Sequence, residues 1–114
     1  MAFDEGLAHR IREQFSGCHN IAEKKMFGGL CFMVNDHMCV GIVKDTLMAR
    51  VGPKNYVRCL RKKHVREMDF TGKPLKGMVY VEPKGFELDS ELKEWINLCV
   101  LFVNTLPPKQ PKKK

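Results

Sequence analysis

The sequence predicts an α+β domain, a two-layer α/β sandwich whose helices cover one face of a largely antiparallel sheet. Three observations carry this prediction. Apolar residues recur at intervals of three or four near both ends of the chain. Short apolar and β-branched runs fill its middle, and the breaks between them are short and rich in Gly, Asn, Asp and Pro. The resulting order is α-β-β-β-β-α-β-β-α. With 114 residues, 44% hydrophobic and 29% charged, the chain suits one folded domain over residues 1–106, followed by a flexible Pro/Lys tail over 107–114.

Asp4 to about Ser16 places Leu7, Ala8, Ile11 and Phe15 on one stripe of a helix. Asp4 is placed to act as its N-cap and Gly17 as its C-terminal stop. From Lys24 the runs KKMF, LCFMV, HMCVGIV and TLMARV read as strands of a meander, separated by Gly28-Gly29, Asn35-Asp36 and Lys44-Asp45. Asn and Asp tolerate positive φ, so Asn35-Asp36 is expected to form a two-residue turn that pairs Val34 with His37 and Phe32 with Cys39. That register puts Cys31 and Cys39 on opposite faces of the sheet.

Pro53 opens a second helix that runs to about Lys62, with Tyr56 and Leu60 facing inward and a basic last turn that suits the helix dipole. VREMDF and GMVYVEP read as two further strands, joined by a turn at Thr71-Gly72-Lys73-Pro74. Asp89 or Ser90 is expected to cap the last helix. Its apolar stripe is Leu92, Trp95, Ile96, Cys99, Phe102, Val103 and Leu106, and Pro107-Pro108 stops it.

The formal charge is +7, of which Lys109, Lys112, Lys113 and Lys114 supply +4, leaving +3 on residues 1–108. That is a mild excess for a protein that binds nucleic acid. Five cysteines without a C-x-x-C pair are expected as reduced thiols, with Cys31, Cys39 and Cys99 in the core. No apolar run approaches the roughly 18 residues that cross a bilayer, and MAFDEGLAHR has no basic region followed by an apolar signal segment. A cytoplasmic protein with no membrane partner is expected.

Four groups of residues invite a chemical reading. His64, Glu67 and Asp69 place an imidazole near two carboxylates, the raw material of general acid-base catalysis. Strand parity weakens the cluster, because Glu67 and Asp69 share a face while His64 falls in the preceding loop. A zinc set drawn from Cys31, His37, Cys39 and Cys18 or His19 has suitable ligand types but lacks two tight ligand pairs, so no metal and no cofactor is expected. Gly28-Gly29 and GKPLKG match no phosphate-binding loop and read as hairpin turns. The densest charge feature is the run Arg58, Arg61, Lys62, Lys63, His64, Arg66, whose five fixed cations suit phosphates or an acidic patch on a partner. Aromatic side chains of the kind that stack unpaired bases do not interleave with it, Phe70 being the nearest downstream.

KKMFGGLCFMVNDHMCVGI (Lys24 to Ile42) closely resembles the N-terminal domain of the TfoX/Sxy family of competence regulators. LMARVGPKNY, HVREMDFTGKPLKGMVYVEPKGFELD and EWINLCVLFVNTLPPK follow the same family pattern in order, over nearly the whole chain. Phe27, Gly28, Gly29, Arg50, Gly52, Asp69, Gly72, Lys76, Gly77 and Pro83 lie within these motifs, and Arg50 with Asp69 is a candidate ion pair. The resemblance implies a compact α/β domain with an antiparallel sheet and no carried-over active site. It also implies a role in transcription regulation, through help given to another, DNA-bound activator. Regulators of the family have a second, helix-rich C-terminal domain, and this sequence ends at its lysine tail.

The expected function is therefore a non-enzymatic regulatory domain that contacts a protein partner, with Arg58, Arg61, Lys62, Lys63 and Arg66 as its polar surface. Weakly selective electrostatic binding of nucleic acid by the same residues and the tail is the alternative. A small enzyme centred on His64, Glu67 and Asp69 is the third reading. The open edges of an antiparallel sheet also allow a homodimer.

Overall fold

The computed structural model describes residues 3–18, 20–26, 28–68 and 77–106. The elements are α1 (Glu5–Gln14), β1 (Ile21–Met26), β2 (Gly29–Val34), β3 (His37–Val43), β4 (Thr46–Arg50), α2 (Pro53–Leu60), β5 (Val65–Glu67), β6 (Met78–Val81) and α3 (Asp89–Val103), with a 3-10 turn at Pro83–Phe86 before α3. The predicted order is the observed one. The six strands form one sheet in the order β1-β2-β3-β4-β6-β5, and every neighbouring pair is antiparallel. The turn at 71–74, Phe70 and the tail over 107–114 lie outside the described residues.

Local chemistry sets the boundaries. The Asp4 carboxylate accepts from the amides of Gly6 at 2.8 Å and Leu7 at 3.2 Å, which caps α1, and Gly17 leaves the helix at φ 88°. Asn35 and Asp36 have φ of 53° and 69°, giving the two-residue turn expected between β2 and β3, and Val34 pairs with His37. Phe32, however, pairs with Val40 and not with Cys39. Cys39 is the extra residue of a β-bulge, so Cys39 and Val40, although consecutive, both join the core on the helix side. Cys31 still faces the other side of the sheet, as strand parity required.

Three further boundaries differ from the sequence reading. β1 begins at Ile21 and not at Lys24, because Ile21 pairs with Val34 across the first hairpin. α2 ends at Leu60, two residues short of Lys62. Asp89 and Ser90 do not cap α3. Asp89 is its first residue, and the amide of Leu88 donates to the Glu91 carboxylate at 2.9 Å. The Asp89 carboxylate is occupied elsewhere, accepting from Arg10 Nε at 3.1 Å. The Arg10 guanidinium also donates to the carbonyls of Phe86 at 2.8 Å and Glu87 at 3.2 Å, tying α1 to the start of α3.

The core lies between the sheet and the helices. Leu30, Phe32, Ile42, Leu47, Val79 and Val81 meet Ile11 of α1, Tyr56 and Cys59 of α2, and Leu92, Ile96 and Cys99 of α3, all buried. Cys59, left out of the core by the sequence reading, belongs to it, whereas Phe102 and Leu106 are only half-buried. The opposite sheet face carries a smaller methionine-rich cluster of Cys31, Met33, Met38, Met48, Met68 and Tyr80.

Candidate functional site

The basic run begins on α2, turns through residues 61–64 and enters β5. His64 makes that turn at φ 68°, and its carbonyl accepts from the Glu82 amide at 2.7 Å, which starts the β5–β6 pairing. All five cations of the run, Arg58, Arg61, Lys62, Lys63 and Arg66, are exposed. They do not share one face. Lys62 reaches across the helix layer, its Nζ 5.5 Å from the centre of the Trp95 ring on α3. Arg66 lies directly across from Tyr80 in the β5–β6 register, stacks over that ring at 4.5 Å on the opposite side of the sheet, and pairs with Glu82.

Arg58 donates to the Asn55 side chain at 2.6 Å, and among the described residues Arg66 alone of the five forms an ion pair with a carboxylate. The run thus wraps the β5 end of the sheet, with Arg58 on α2 and Lys62 two residues past its end, both on the helix side. Its unneutralised cations create a positive potential there, a long-range attraction that salt screens.

The other candidates are placed as follows. His64 and Glu67 are both exposed, and Asp69 lies outside the described residues. The Tyr56 hydroxyl approaches a Glu67 carboxylate oxygen at 3.5 Å, a long contact that links α2 to β5. Arg50 cannot be matched to Asp69, which is undescribed. It donates to the Met38 carbonyl at 3.2 Å and sits 5.7 Å from the centre of the Phe102 ring.

Of the candidate zinc ligands, Cys31 and Cys39 are separated by the sheet, Cys18 is exposed beyond α1, and His19 lies outside the described residues. Among the described residues, no group of three or more His, Cys, Asp or Glu side chains is placed to hold a metal ion. Burial pushes the Cys31 thiol up to about 11 and the Cys39 thiol up to about 12. Burial first, and then the neighbouring Cys39 and Cys59, hold Cys99 well above the ordinary thiol range. These are packing groups, poorly suited to nucleophilic chemistry.

Gly28 has φ 76° and Gly77 φ 92°, so each occupies a turn conformation that L side chains avoid. Phe27, Gly72 and Lys76 lie outside the described residues.

Sequence reasoning missed a cleft of about 260 Å³ where α1, α3 and the β1–β2 end meet. Phe15, Val34 and Ile96 contribute apolar lining, and Gln14, Asn20, Asn97 and Asn104 add carboxamides. Its parts are scattered from residue 14 to residue 104, and each reads locally as an ordinary helix or turn residue. A second, shallower cleft of about 390 Å³ is lined by Asp4, Arg10, Asp45 and Glu87 among others. Neither cleft includes His64 or Glu67. No helix among the described residues is long and apolar enough to cross a membrane.

Comparison with curated proteins and with solved structures finds no match. The family model described as the TfoX N-terminal domain matches residues 13–103, from the last two residues of α1 to the end of α3. That family is suggestive of a competence-related regulatory domain and is not known as enzymatic. With the match covering the whole sheet together with α2 and α3, most of the sequence, the chain belongs to the TfoX N-terminal domain family.

Proposed function

We propose that this chain is a non-enzymatic regulatory domain of the cytoplasm that acts in competence-linked transcription regulation by binding a partner protein, namely a DNA-bound activator. The observation that carries the reading is the cationic end of the sheet, where Arg58, Arg61, Lys62 and Lys63 are exposed and meet no carboxylate among the described residues. Membership in the TfoX N-terminal domain family supports the regulatory setting. An acidic patch on the partner matches the potential of this end and speeds association.

The test is charge reversal, Arg61→Glu with Lys62→Glu, followed by capture of interacting proteins from an extract of the source cells. The variant is expected to keep its circular dichroism spectrum and lose the partner. Undiminished capture removes this surface from the proposal.

The same unpaired cations favour a second reading, direct electrostatic binding of nucleic acid. Anisotropy with labelled duplex DNA at about 50 and 200 mM salt separates the two, since phosphate-driven affinity falls steeply over that range. Equal, salt-sensitive binding by residues 1–114 and 1–108 supports direct contact by the folded surface. Binding that vanishes with the tail supports the protein partner.

A further inference from the structure

α3 carries two apolar stripes. The inner one, from Leu92 to Val103, is buried against the sheet. The second consists of Leu98, Leu101 and Phe102, spaced so that they share a face. Leu101 is 68% exposed, while Leu98 and Phe102 are half-buried. An exposed leucine by itself needs no explanation. Here it crowns a ridge, and its surroundings give that ridge a chemical character.

α2 lies beside the ridge and runs the opposite way. Its N-cap Gly52 abuts Phe102, since a Cβ added there would fall 2.4 Å from that ring, and Lys62, two residues past its end, reaches Trp95. The neighbouring surfaces differ sharply in charge. From Trp95 to Leu106 the chain has no charged residue, and from Pro53 to Lys62 it has four cations and no acid. Lys62, two residues past the end of α2, sits over the Trp95 ring, Arg50 covers the Phe102 end, and Arg58 is exposed on α2 four residues before Lys62. A hydrophobic ridge is thus flanked by cations along one side.

We propose that this ridge and its cationic flank form a docking groove for an acidic amphipathic helix of a partner protein. The proposal rests on the protein-binding function proposed above and supplies the apolar half of its surface. Charge complementarity selects the occupant: leucine-type side chains of the partner pack against Leu98, Leu101 and Phe102, while its carboxylates meet Arg58, Lys62 and Arg50. A basic helix is repelled by the same flank.

The probe is a fluorescein-labelled 18-residue peptide with leucines at i, i+3, i+4 and i+7 and glutamates elsewhere. Its control has the same composition with the leucines spread around the helix. Saturable binding on the order of tens of micromolar is expected for the first, with amide shifts at Arg58, Leu98, Leu101 and Phe102 of the isotope-labelled protein. Leu101→Glu should weaken that binding by about tenfold, in line with loss of an interface anchor, without moving the thermal midpoint.

Equal binding of the control, shifts confined to another surface, or an unaffected Leu101→Glu variant overturns the groove. A wild-type dimer that Leu101→Glu converts to a monomer in sedimentation also overturns it, because the occupant is then a second copy. Partner capture lost on reversal of Arg61 and Lys62 but retained in Leu101→Glu removes the groove and leaves the proposed function standing. Peptide bound at the groove, with partner capture unaffected by either variant, supports the groove and removes that function.

Discussion

Gly28 and Gly29 are adjacent, and each is required for a different reason. Gly28 has φ 76° with open space where a Cβ would stand, so Gly28→Ala meets only the local penalty of the left-handed conformation, about 1 to 2 kcal/mol. A Cβ on Gly29 would fall 1.8 Å from the Ile42 carbonyl oxygen, a backbone atom of β3 that cannot move without disturbing the sheet. Gly29→Ala is expected to cost about 3 kcal/mol or more, within the range of overpacked cores. Urea denaturation of the two alanine variants tests the order of these effects. The turn at Gly28-Gly29 was legible in the sequence because flexible residues punctuate strands. The clash at Gly29 was not, since it depends on a strand a dozen residues further on.

At the level of elements, the two-residue turn Asn35-Asp36 shows why the first hairpins were readable. Both residues take positive φ, and the sequence offered two that tolerate it. Asp36→Gly removes the remaining steric cost at φ 69° and is expected to raise stability by about 0.5 to 1 kcal/mol, seen as a higher urea midpoint with an unchanged slope. The bulge at Cys39 was not readable, because a single unpaired residue leaves the apolar pattern of HMCVGIV intact. Asp89 shows the same limit. Its local preference is for a cap, but Arg10, 79 positions away, takes its carboxylate. The candidate surface was half legible: a run of cations is visible as composition, yet strand pleating sends Arg66 to one side of the sheet while Lys62 stays on the other.

Across the whole molecule, four of the five cysteines are buried and Cys18 is exposed. A thiol reagent at pH 8 is therefore expected to modify one cysteine rapidly in the native protein and all five in denaturant, a count that absorbance reads directly. The same burial couples folding to alkali. A thiol whose value is raised in the folded state stabilises it fully below the unfolded value near 9, and that contribution is lost as pH climbs toward about 12, as for Cys39. The unfolding free energy should fall over this window, and less steeply in Cys39→Ala. The overall architecture was legible because the helices carry apolar residues three or four apart and the strands are short apolar runs bounded by turn residues, whereas the placing of β6 between β4 and β5 rests on pairings far apart in the chain. One edge of that sheet has a consequence for the life of the protein at high concentration. β1 has β2 as its single neighbour, and its side chains from Ala22 to Met26 are exposed. Such an edge is a template on which fibrils grow, and the consecutive Lys24 and Lys25, projecting to opposite faces, act as gatekeepers that keep the open strand colloidally safe.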